Sequence, residues 1–252
     1  MRAIVCCFFA SPVAGDRWTR MANVFAHTAR VHCPDWTLDM DRLPMPRSRP
    51  PASESQVANT AKLEHWCEAV RRASDGDELL LIDADTAILR PLEDIWDRPF
   101  DLAYTVRPAD YPHPLNGGVV FIRVSTLTRA WMEAWRTANA RMLRERALRD
   151  EWRKYAGMNQ RAFGLLLETQ REQLGGALLE LPCHEWNCED SAWASFDPAV
   201  TRILHIKSAL RKAILPQSLR QPATPHLVAL ARRWRALESE AKRALATTGI
   251  PA

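Results

Sequence analysis

The stretch LLLIDADTAILR at residues 79–90 decides how the rest of this 252-residue chain is interpreted. Four apolar residues run directly into Asp83, Ala84 and Asp85. An unbroken apolar run of this length predicts a strand that is buried on both faces of a covered sheet. Two carboxylates at the end of such a strand are unfavourable unless positive charge meets them, and hard divalent cations prefer oxygen ligands. The stretch therefore predicts either a divalent-metal site or a solvated exit of the strand into a loop, and both interpretations stay open at this point.

The composition is that of a globular protein with a substantial core, because 47% of the residues are hydrophobic and 25% are charged. The net charge is +4, and the basic residues are interleaved with acids, as in residues 141–154. This pattern favours solvated helix faces over nucleic-acid binding. No run approaches the roughly 20 apolar residues of a transmembrane segment, and the apolar run near the N-terminus predicts a first strand rather than a signal peptide.

The six cysteines are scattered and show no disulfide-framework spacing, which indicates a reducing compartment and a cytoplasmic localisation. Cys183, His184 and Cys188 offer three zinc ligands, but a fourth ligand is missing nearby, so we do not expect a zinc site.

Predicted strands alternate with predicted helices along the chain, which indicates an α/β fold. The strands are expected at residues 3–10, 36–40, 79–82, 100–106, 115–122, 177–181 and 202–206. The helices are expected at residues 16–31, 56–73, 126–154 and 158–168, with an amphipathic closing helix after Pro225. The proline-containing segments 43–55 and 107–114 are expected to be mobile loops that lie over or beside the site.

Six ordered blocks carry a resemblance to a known family: IDADT, PLEDIW, LNGGVVFI, MNQRAF, LPCHEWN and ILHIKS. In order and spacing they resemble the GT-A nucleotide-sugar glycosyltransferases, in particular the branch of glycogenin and the lipopolysaccharide galactosyltransferases, over residues 3–212. The resemblance implies a single GT-A domain at residues 1–215, with a mixed, mostly parallel central sheet flanked by helices. Residues 216–252 would then be a helical extension, packed on this domain or on a partner subunit in a homo-oligomer.

The activity that this resemblance implies is the metal-dependent transfer of a hexosyl group from a nucleoside-diphosphate sugar, with UDP-sugars favoured, to an unknown acceptor. Asp83, Asp85 and His205 would bind the metal, Mn²⁺ or Mg²⁺. The donor-binding positions would be Phe9, Ala10, Ser11, Lys62, Asp83, Ala84, Asn116, Gly117, Asn159, Gln160 and Lys207.

The resemblance leaves the catalytic residue unknown. Four carboxylates remain open as a general base: Asp110, Glu185, Glu189 and Asp190. The family's Gly-x-x-Lys-Pro-Trp ending is absent, with SALRK at residues 208–212 in its place. The block around Asn159 also lacks its leading aspartate, so the donor and the stereochemistry of transfer stay open.

Two other interpretations stay open as well. The pattern around Asp83 resembles the first motif of haloacid-dehalogenase-type phosphotransferases, in which Asp83 would be the nucleophile and Ser125 would serve the phosphate. Against this, the motif lies far from the start of the chain, and no strand precedes the acidic pair Glu189-Asp190. The other interpretation is a GT-A-like domain without activity that binds a sugar nucleotide or a partner.

Overall fold

The computed structural model describes residues 1–10, 17–47, 52–109, 111, 114–152, 158–214 and 224–248. Within these ranges, eight strands form a six-stranded main sheet, in the order β2-β1-β3-β6-β5-β7, and a two-stranded sheet of β4 and β8. The strands are β1 (Arg2–Ala10), β2 (Thr37–Pro44), β3 (Glu78–Asp83), β4 (Thr86–Ile88), β5 (Leu102–Val106), β6 (Leu115–Arg123), β7 (Leu178–Pro182) and β8 (Ile203–His205). The helices are α1 (Arg17–His32), α2 (Glu54–Arg72), α3 (Thr126–Arg144), α4 (Arg146–Trp152), α5 (Met158–Thr169), α6 (Arg171–Leu174), α7 (Cys183–Trp186), α8 (Ser208–Ile214) and α9 (Pro225–Thr248).

The main sheet is mixed and mostly parallel, as predicted. Strand β1 pairs in parallel with β2 and β3, and β5 pairs in parallel with β7. Only β6 runs the other way among the six strands, since it is antiparallel to both β3 and β5. The carboxyl ends of the other five strands therefore meet the amino end of β6 at one edge of the sheet.

The central strand β3 is buried on both faces, which confirms the interpretation of its apolar run. Leu79 and Leu81 belong to a core cluster that also contains Trp66 of α2 and Trp135 of α3. The alternate residues of β3 belong to a second cluster, on the opposite face, that contains Phe25 of α1. Because successive side chains of a strand point to opposite faces, one strand contributes to both clusters.

Two local features differ from the sequence-based expectation. The helix predicted over residues 126–154 is divided into α3 and α4, because Glu145 has an extended backbone with φ −85° and ψ 111°. No element is predicted for the stretch directly after Asp85, but Thr86–Ile88 forms β4 and pairs with β8. A single extended residue inside a helix and a strand of three residues are both too short to show a clear hydrophobic period in the sequence.

The long C-terminal helix α9 packs on this chain. Trp234 and Leu237 are buried in a third apolar cluster together with Met21 of α1. Arg20 of α1 donates a hydrogen bond of 2.7 Å to Glu238. The division of the chain at residue 215 and the homo-oligomer stay predictions. No helix within the described ranges has the length and apolar character that crossing a membrane requires.

Candidate functional site

The two central strands bring distant polar residues together at one edge of the main sheet. Residue Ile82 of β3 is paired with Val119 of antiparallel β6, so Asp83 lies beside Gly118. A Cβ atom on Gly118 would lie 2.8 Å from Asp83 Oδ2 and 2.7 Å from His205 Cε1. Since real Cβ atoms do not approach other atoms so closely, only glycine fits at this position without movement of its neighbours.

The small sheet brings His205 to the two aspartates. Thr86 pairs with His205 in the β4–β8 register, and the Ile206 amide donates to the Asp85 carbonyl at 2.9 Å. His205 Nε2 lies 3.2 Å from Asp85 Oδ1 and 3.7 Å from Asp83 Oδ2. One ligand atom from each of the three side chains lies within 4.8 Å of the other two. These atoms are close enough together to share one metal ion.

A hydrogen bond on the far side of the ring orients His205. Its Nδ1 lies 2.9 Å from Oδ1 of Asn187, whose amide nitrogen donates to the Thr105 hydroxyl at 2.9 Å. Because Asn187 Oδ1 accepts, Nδ1 carries a proton, and Nε2 is the ring nitrogen that faces the aspartates. Metal-binding histidines are commonly oriented in this way.

Two basic side chains neutralise the aspartates. Lys62 Nζ donates to Asp83 Oδ1 at 2.5 Å, and Arg211 donates to Asp85 Oδ2. Burial alone would raise the pKa of Asp85, but the charges of Arg211 and His205 hold it well below its ordinary value. Lys62 stands over the Trp66 ring at 4.4 Å, and Arg211 over the Trp18 ring at 5.0 Å. The aromatic rings therefore hold both cations in place.

These residues line a cavity of about 520 Å³. Of the predicted positions, Phe9, Lys62, Asp83, Ala84, Asp85, Asn116, Gly117, Asn159, Gln160, His205 and Lys207 line it. Ala10 is not among the lining residues, and Ser11 lies outside the described residues. The segments expected to be lids contribute Met45, Glu54, Ser55, Arg107 and Tyr111, so both lie beside the cavity. Their mobility stays a prediction.

Two asparagines of the cavity have buried amide groups without a partner among the described residues. Asn116 Oδ1 accepts from the Gly118 amide at 2.9 Å, and its Nδ2 is buried without a hydrogen bond. Asn159 Oδ1 accepts from the Gln160 amide at 2.8 Å, and its Nδ2 is likewise without a partner. Buried donors normally have acceptors, so both amides are available to an acceptor oxygen of a bound molecule or of water.

Some cavity residues were not assigned from the sequence. Gly118 enters the sequence analysis only within the block LNGGVVFI, and Arg211 only within the segment that replaces the family's ending. Lys207 directly precedes α8, and Arg211 follows it by four residues, which is about one helical turn. Both side chains therefore lie on the same side of the helix. This spacing is a signal that could have identified Arg211.

The structure argues against the phosphotransferase interpretation. Ser125 follows the carboxyl end of antiparallel β6 and begins α3, where its hydroxyl accepts from the Thr128 amide at 3.2 Å. Arg123, two residues earlier, is paired with Glu78 at the start of β3. Ser125 is therefore at the edge of the sheet opposite Asp83 and cannot serve the same phosphate.

The cysteines do not add a second centre. Asp83, Asp85 and His205 are the single group of metal-ligating side chains found in the described part of the chain, so Cys183, His184 and Cys188 do not cluster. Cys7 lines the cavity, but burial raises the pKa of its thiol to about 12. At neutral pH Cys7 is a thiol rather than a nucleophilic thiolate.

No protein-family model and no curated protein sequence matches the chain. Solved structures match its fold. A glycosyltransferase involved in the glycosylation of the major capsid of PBCV-1 matches with a TM-score of 0.57 at 12% identity, over 82% of this chain and 94% of that chain. The galactosyltransferase LgtC, in complex with donor and acceptor sugar analogs, matches with a TM-score of 0.53 at 13% identity, over 95% of this chain and 96% of that chain. The glycosyltransferase GlyE of Streptococcus pneumoniae TIGR4 matches with a TM-score of 0.52 at 12% identity, over 95% of this chain and 62% of that chain. The fold is thus the GT-A fold of these glycosyltransferases, as the ordered blocks predicted.

Proposed function

We propose that this protein transfers a glycosyl group from a nucleoside-diphosphate sugar to an acceptor, with the help of a divalent cation. The observation that carries the proposal is the group of Asp83, Asp85 and His205 at the wall of a cavity about 520 Å³ in volume. Similarity to glycosyltransferases supports the same conclusion at the level of the fold.

The three metal-ligating side chains fit a divalent ion of hard to borderline character. Two carboxylates and one imidazole nitrogen are suited to Mn²⁺, and they also accommodate Mg²⁺. When bound, such an ion supplies Lewis-acid stabilisation of the diphosphate leaving group. Gly118 has no side chain, which leaves the space between Asp83 and His205 open for an ion.

The basic residues of the cavity would bind the diphosphate. Lys62 and Arg211 are already directed at the two aspartates, and Lys207 lines the same cavity. Positive charges that face the position where negative charge develops lower the barrier to departure of the diphosphate. A nucleotide bound here would place its base toward Phe9, near the end of β1.

The two unpartnered amides would bind the sugar. Asn116 Nδ2 and Asn159 Nδ2 are donors that need acceptor oxygens, and sugar hydroxyl groups provide such oxygens. Gln160 lies beside them, since its Oε1 accepts from the Gly117 amide at 3.4 Å. Both donors line the cavity, so a sugar bound there would supply acceptor oxygens to them.

The proposal is tested first by binding and then by turnover. We expect UDP to bind in isothermal titration calorimetry when Mn²⁺ is present and to bind weakly when EDTA replaces it, with GDP and ADP as comparisons. A panel of nucleotide sugars should then release the nucleoside diphosphate only with metal. Asp97 is an exposed carboxylate outside the cavity, so Asp97→Asn is the control for Asp83→Asn. Binding without turnover would identify a binding domain, and metal-dependent hydrolysis of phosphate esters without any nucleotide-sugar activity would contradict the proposal.

Replacement of Arg211 by alanine should change metal and nucleotide binding in opposite directions. Arg211 competes with a cation for Asp85, so its loss should raise the affinity of the protein alone for Mn²⁺ by about tenfold, which corresponds to ~1.4 kcal/mol. The affinity of the Mn²⁺-loaded protein for UDP should fall, because a positive charge near the diphosphate is lost. Calorimetric titrations of the variant with each ligand measure both effects.

Lys212 provides a control for Arg211→Ala. It is a neighbouring basic residue of α8 but is exposed and does not line the cavity. Lys212→Ala should leave both affinities unchanged. A decrease in Mn²⁺ affinity in Arg211→Ala would show that Arg211 supports the cation site rather than competing with it.

A further inference from the structure

A second cluster of charged residues lies on the wall of the same cavity, and the binding of donor and metal does not use it. We name Arg107, Tyr111, Glu189 and Asp190 the acidic-wall cluster. Arg107 follows the last residue of β5, and Glu189 follows Cys188, which forms an isolated bridge with Leu204 of β8. Arg107, Tyr111 and Asp190 line the cavity together with Lys207.

Glu189 is fixed as a structural carboxylate. It is fully buried, and Arg107 forms a two-pronged ion pair with it at 3.0 and 3.1 Å. Ser191 donates to it through both its hydroxyl and its amide, and Lys207 Nζ lies 3.7 Å away. Burial alone would raise the pKa of Glu189, but Asp190, Lys207 and Arg107 together hold it well below its ordinary value. Glu189 therefore stays ionised, and its oxygens are already used by neighbouring groups.

Asp190 differs from the other candidate carboxylates because it faces the cavity. Glu185 binds Arg202 at 3.0 Å and does not line the cavity, and Asp110 lies outside the described residues. Burial, followed by the hydrogen bond with Glu189 and the charge of Glu189, raises the pKa of Asp190 to about 6, although Lys207 and Arg107 partly oppose the shift. Since Glu189 is held ionised, Asp190 carries the proton that the two adjacent carboxyl groups share.

The cluster also contains an aromatic side chain, Tyr111. The Tyr111 ring lies 4.8 Å from the Arg107 guanidinium carbon. Burial and the neighbouring charge of Asp190 raise the pKa of Tyr111, so its phenol is neutral at physiological pH. A carboxylate beside a neutral aromatic ring is a combination that suits a sugar, because the carboxylate accepts from hydroxyl groups and the ring contacts the C–H face.

We propose that the acidic-wall cluster is the acceptor subsite, that the acceptor is an uncharged carbohydrate, and that the Asp190 carboxylate binds an acceptor hydroxyl group by accepting its hydrogen bond. This inference rests on the proposed function and adds the chemical class of the second substrate. An anionic acceptor is disfavoured because the Asp190 carboxylate faces the cavity, whereas the charge of Arg107 is already paired with buried Glu189. Asp190 acts here as a binding and positioning residue for the acceptor.

Protonation of Asp190 should weaken the binding of the acceptor. The charged and titratable groups around Asp190 are Glu189, Arg107, Lys207 and Tyr111. Of these, Glu189 is the one that shares a proton with Asp190. The ionised form of Asp190 accepts a hydrogen bond from the acceptor, whereas the protonated form donates its hydrogen to Glu189. Acceptor affinity should therefore rise as the pH increases through about 6 and should be constant above about pH 7.5.

The variant Asp190→Asn should reproduce the low-pH state at every pH. The asparagine amide can still donate to Glu189, as the protonated carboxyl group does, so the fold should be retained. At pH 8 the variant should bind the acceptor about tenfold more weakly than the original protein and should show no inflection near pH 6. Affinity for UDP with Mn²⁺ should stay unchanged, because the donor-binding residues are untouched.

The experiment uses methyl glycosides of glucose, galactose, mannose and N-acetylglucosamine as acceptor probes. Their binding to the complex of protein, Mn²⁺ and UDP is measured by saturation-transfer difference NMR from pH 5 to pH 8.5. Glu185→Gln is the control, since this carboxylate lies near Asp190 in sequence but binds Arg202 outside the cavity. Tyr111→Phe should bind the probes as the original protein does, and Tyr111→Leu should bind them more weakly.

The possible failures are distinguishable. If UDP does not bind in the presence of Mn²⁺, the proposed function itself fails. If UDP binds but no glycoside binds the original complex, the carbohydrate class of the acceptor is wrong. If glycosides bind Asp190→Asn and the original protein equally at pH 8, the role of Asp190 is wrong. Loss of UDP binding in Asp190→Asn would place this residue on the donor side instead.

Discussion

Replacing Gly118 by alanine is expected to lower the affinity for Mn²⁺ by about 100-fold or more and to remove metal-dependent nucleotide binding. The new Cβ atom would lie 2.7 Å from His205 Cε1, 2.8 Å from Asp83 Oδ2 and 3.0 Å from Asn116 Oδ1. Two of the three metal-ligating side chains would have to move, and a displacement of ~1 Å at such a site can reduce activity ~100-fold. Overpacking of this kind also lowers the free energy of unfolding by ~1–3 kcal/mol.

The neighbouring glycine provides a matched control. A Cβ atom on Gly117 would meet Trp135 at 3.7 Å and Gln160 Cα at 3.8 Å, which are ordinary van der Waals distances. Gly117→Ala should therefore keep most of the Mn²⁺ affinity. Titration of each variant with Mn²⁺, followed by the electron paramagnetic resonance signal of the free ion, measures the difference. Equal affinities in the two variants would contradict the assignment of the metal site.

Replacing Asp85 by asparagine is the second change with a large expected effect. The substitution keeps the volume and removes an anionic ligand, so Mn²⁺ affinity should fall by more than ~100-fold, because even the loss of an outer-shell partner lowers metal affinity ~10–100-fold. The metal-free protein should also become less stable. Asp85 is buried, so through the substitution Arg211 and His205 lose a charged partner at a site away from water. We expect this loss to lower the free energy of unfolding by about 1–2 kcal/mol.

This expected loss of stability reverses the inference from the sequence alone. In the sequence alone, two neighbouring carboxylates suggest mutual repulsion, which predicts that neutralising one of them can stabilise the metal-free protein. The structure pairs Asp83 with Lys62 and Asp85 with Arg211, so the carboxylates are already neutralised. Urea unfolding of Asp85→Asn in EDTA, with exposed Asp97→Asn as the control, decides between the two expectations. A higher midpoint for Asp85→Asn would favour the repulsion argument.

The parts of the fold that follow from local sequence were predictable. The apolar run before Asp83 is a strand buried on both faces, and the block LNGGVVFI lies in a second strand, as predicted. The first prediction depends on residues that are close in sequence, which a single sequence displays directly. The GT-A fold was predicted from the resemblance of the six ordered blocks to that family.

The parts that depend on distant pairing were not predictable in the same way. Nothing local in Thr86–Ile88 indicates that it pairs with β8 rather than continuing as a loop. The ion pair of Arg211 with Asp85 joins positions 126 residues apart, and the ion pair of Arg107 with Glu189 joins positions 82 residues apart. Tertiary contacts of this kind decide which of several plausible charged residues belongs to the site.

The small β4–β8 sheet also has a consequence for the order of folding. It joins two short segments that are far apart in the chain, with a register of three residue pairs. Closing so long a loop is entropically unfavourable, and few contacts compensate for it until the main sheet has formed. His205 should therefore join the aspartates in a late step, after β1, β3 and β6 have paired. In pulsed hydrogen exchange during refolding, the Leu81 amide should become protected before the His205 amide.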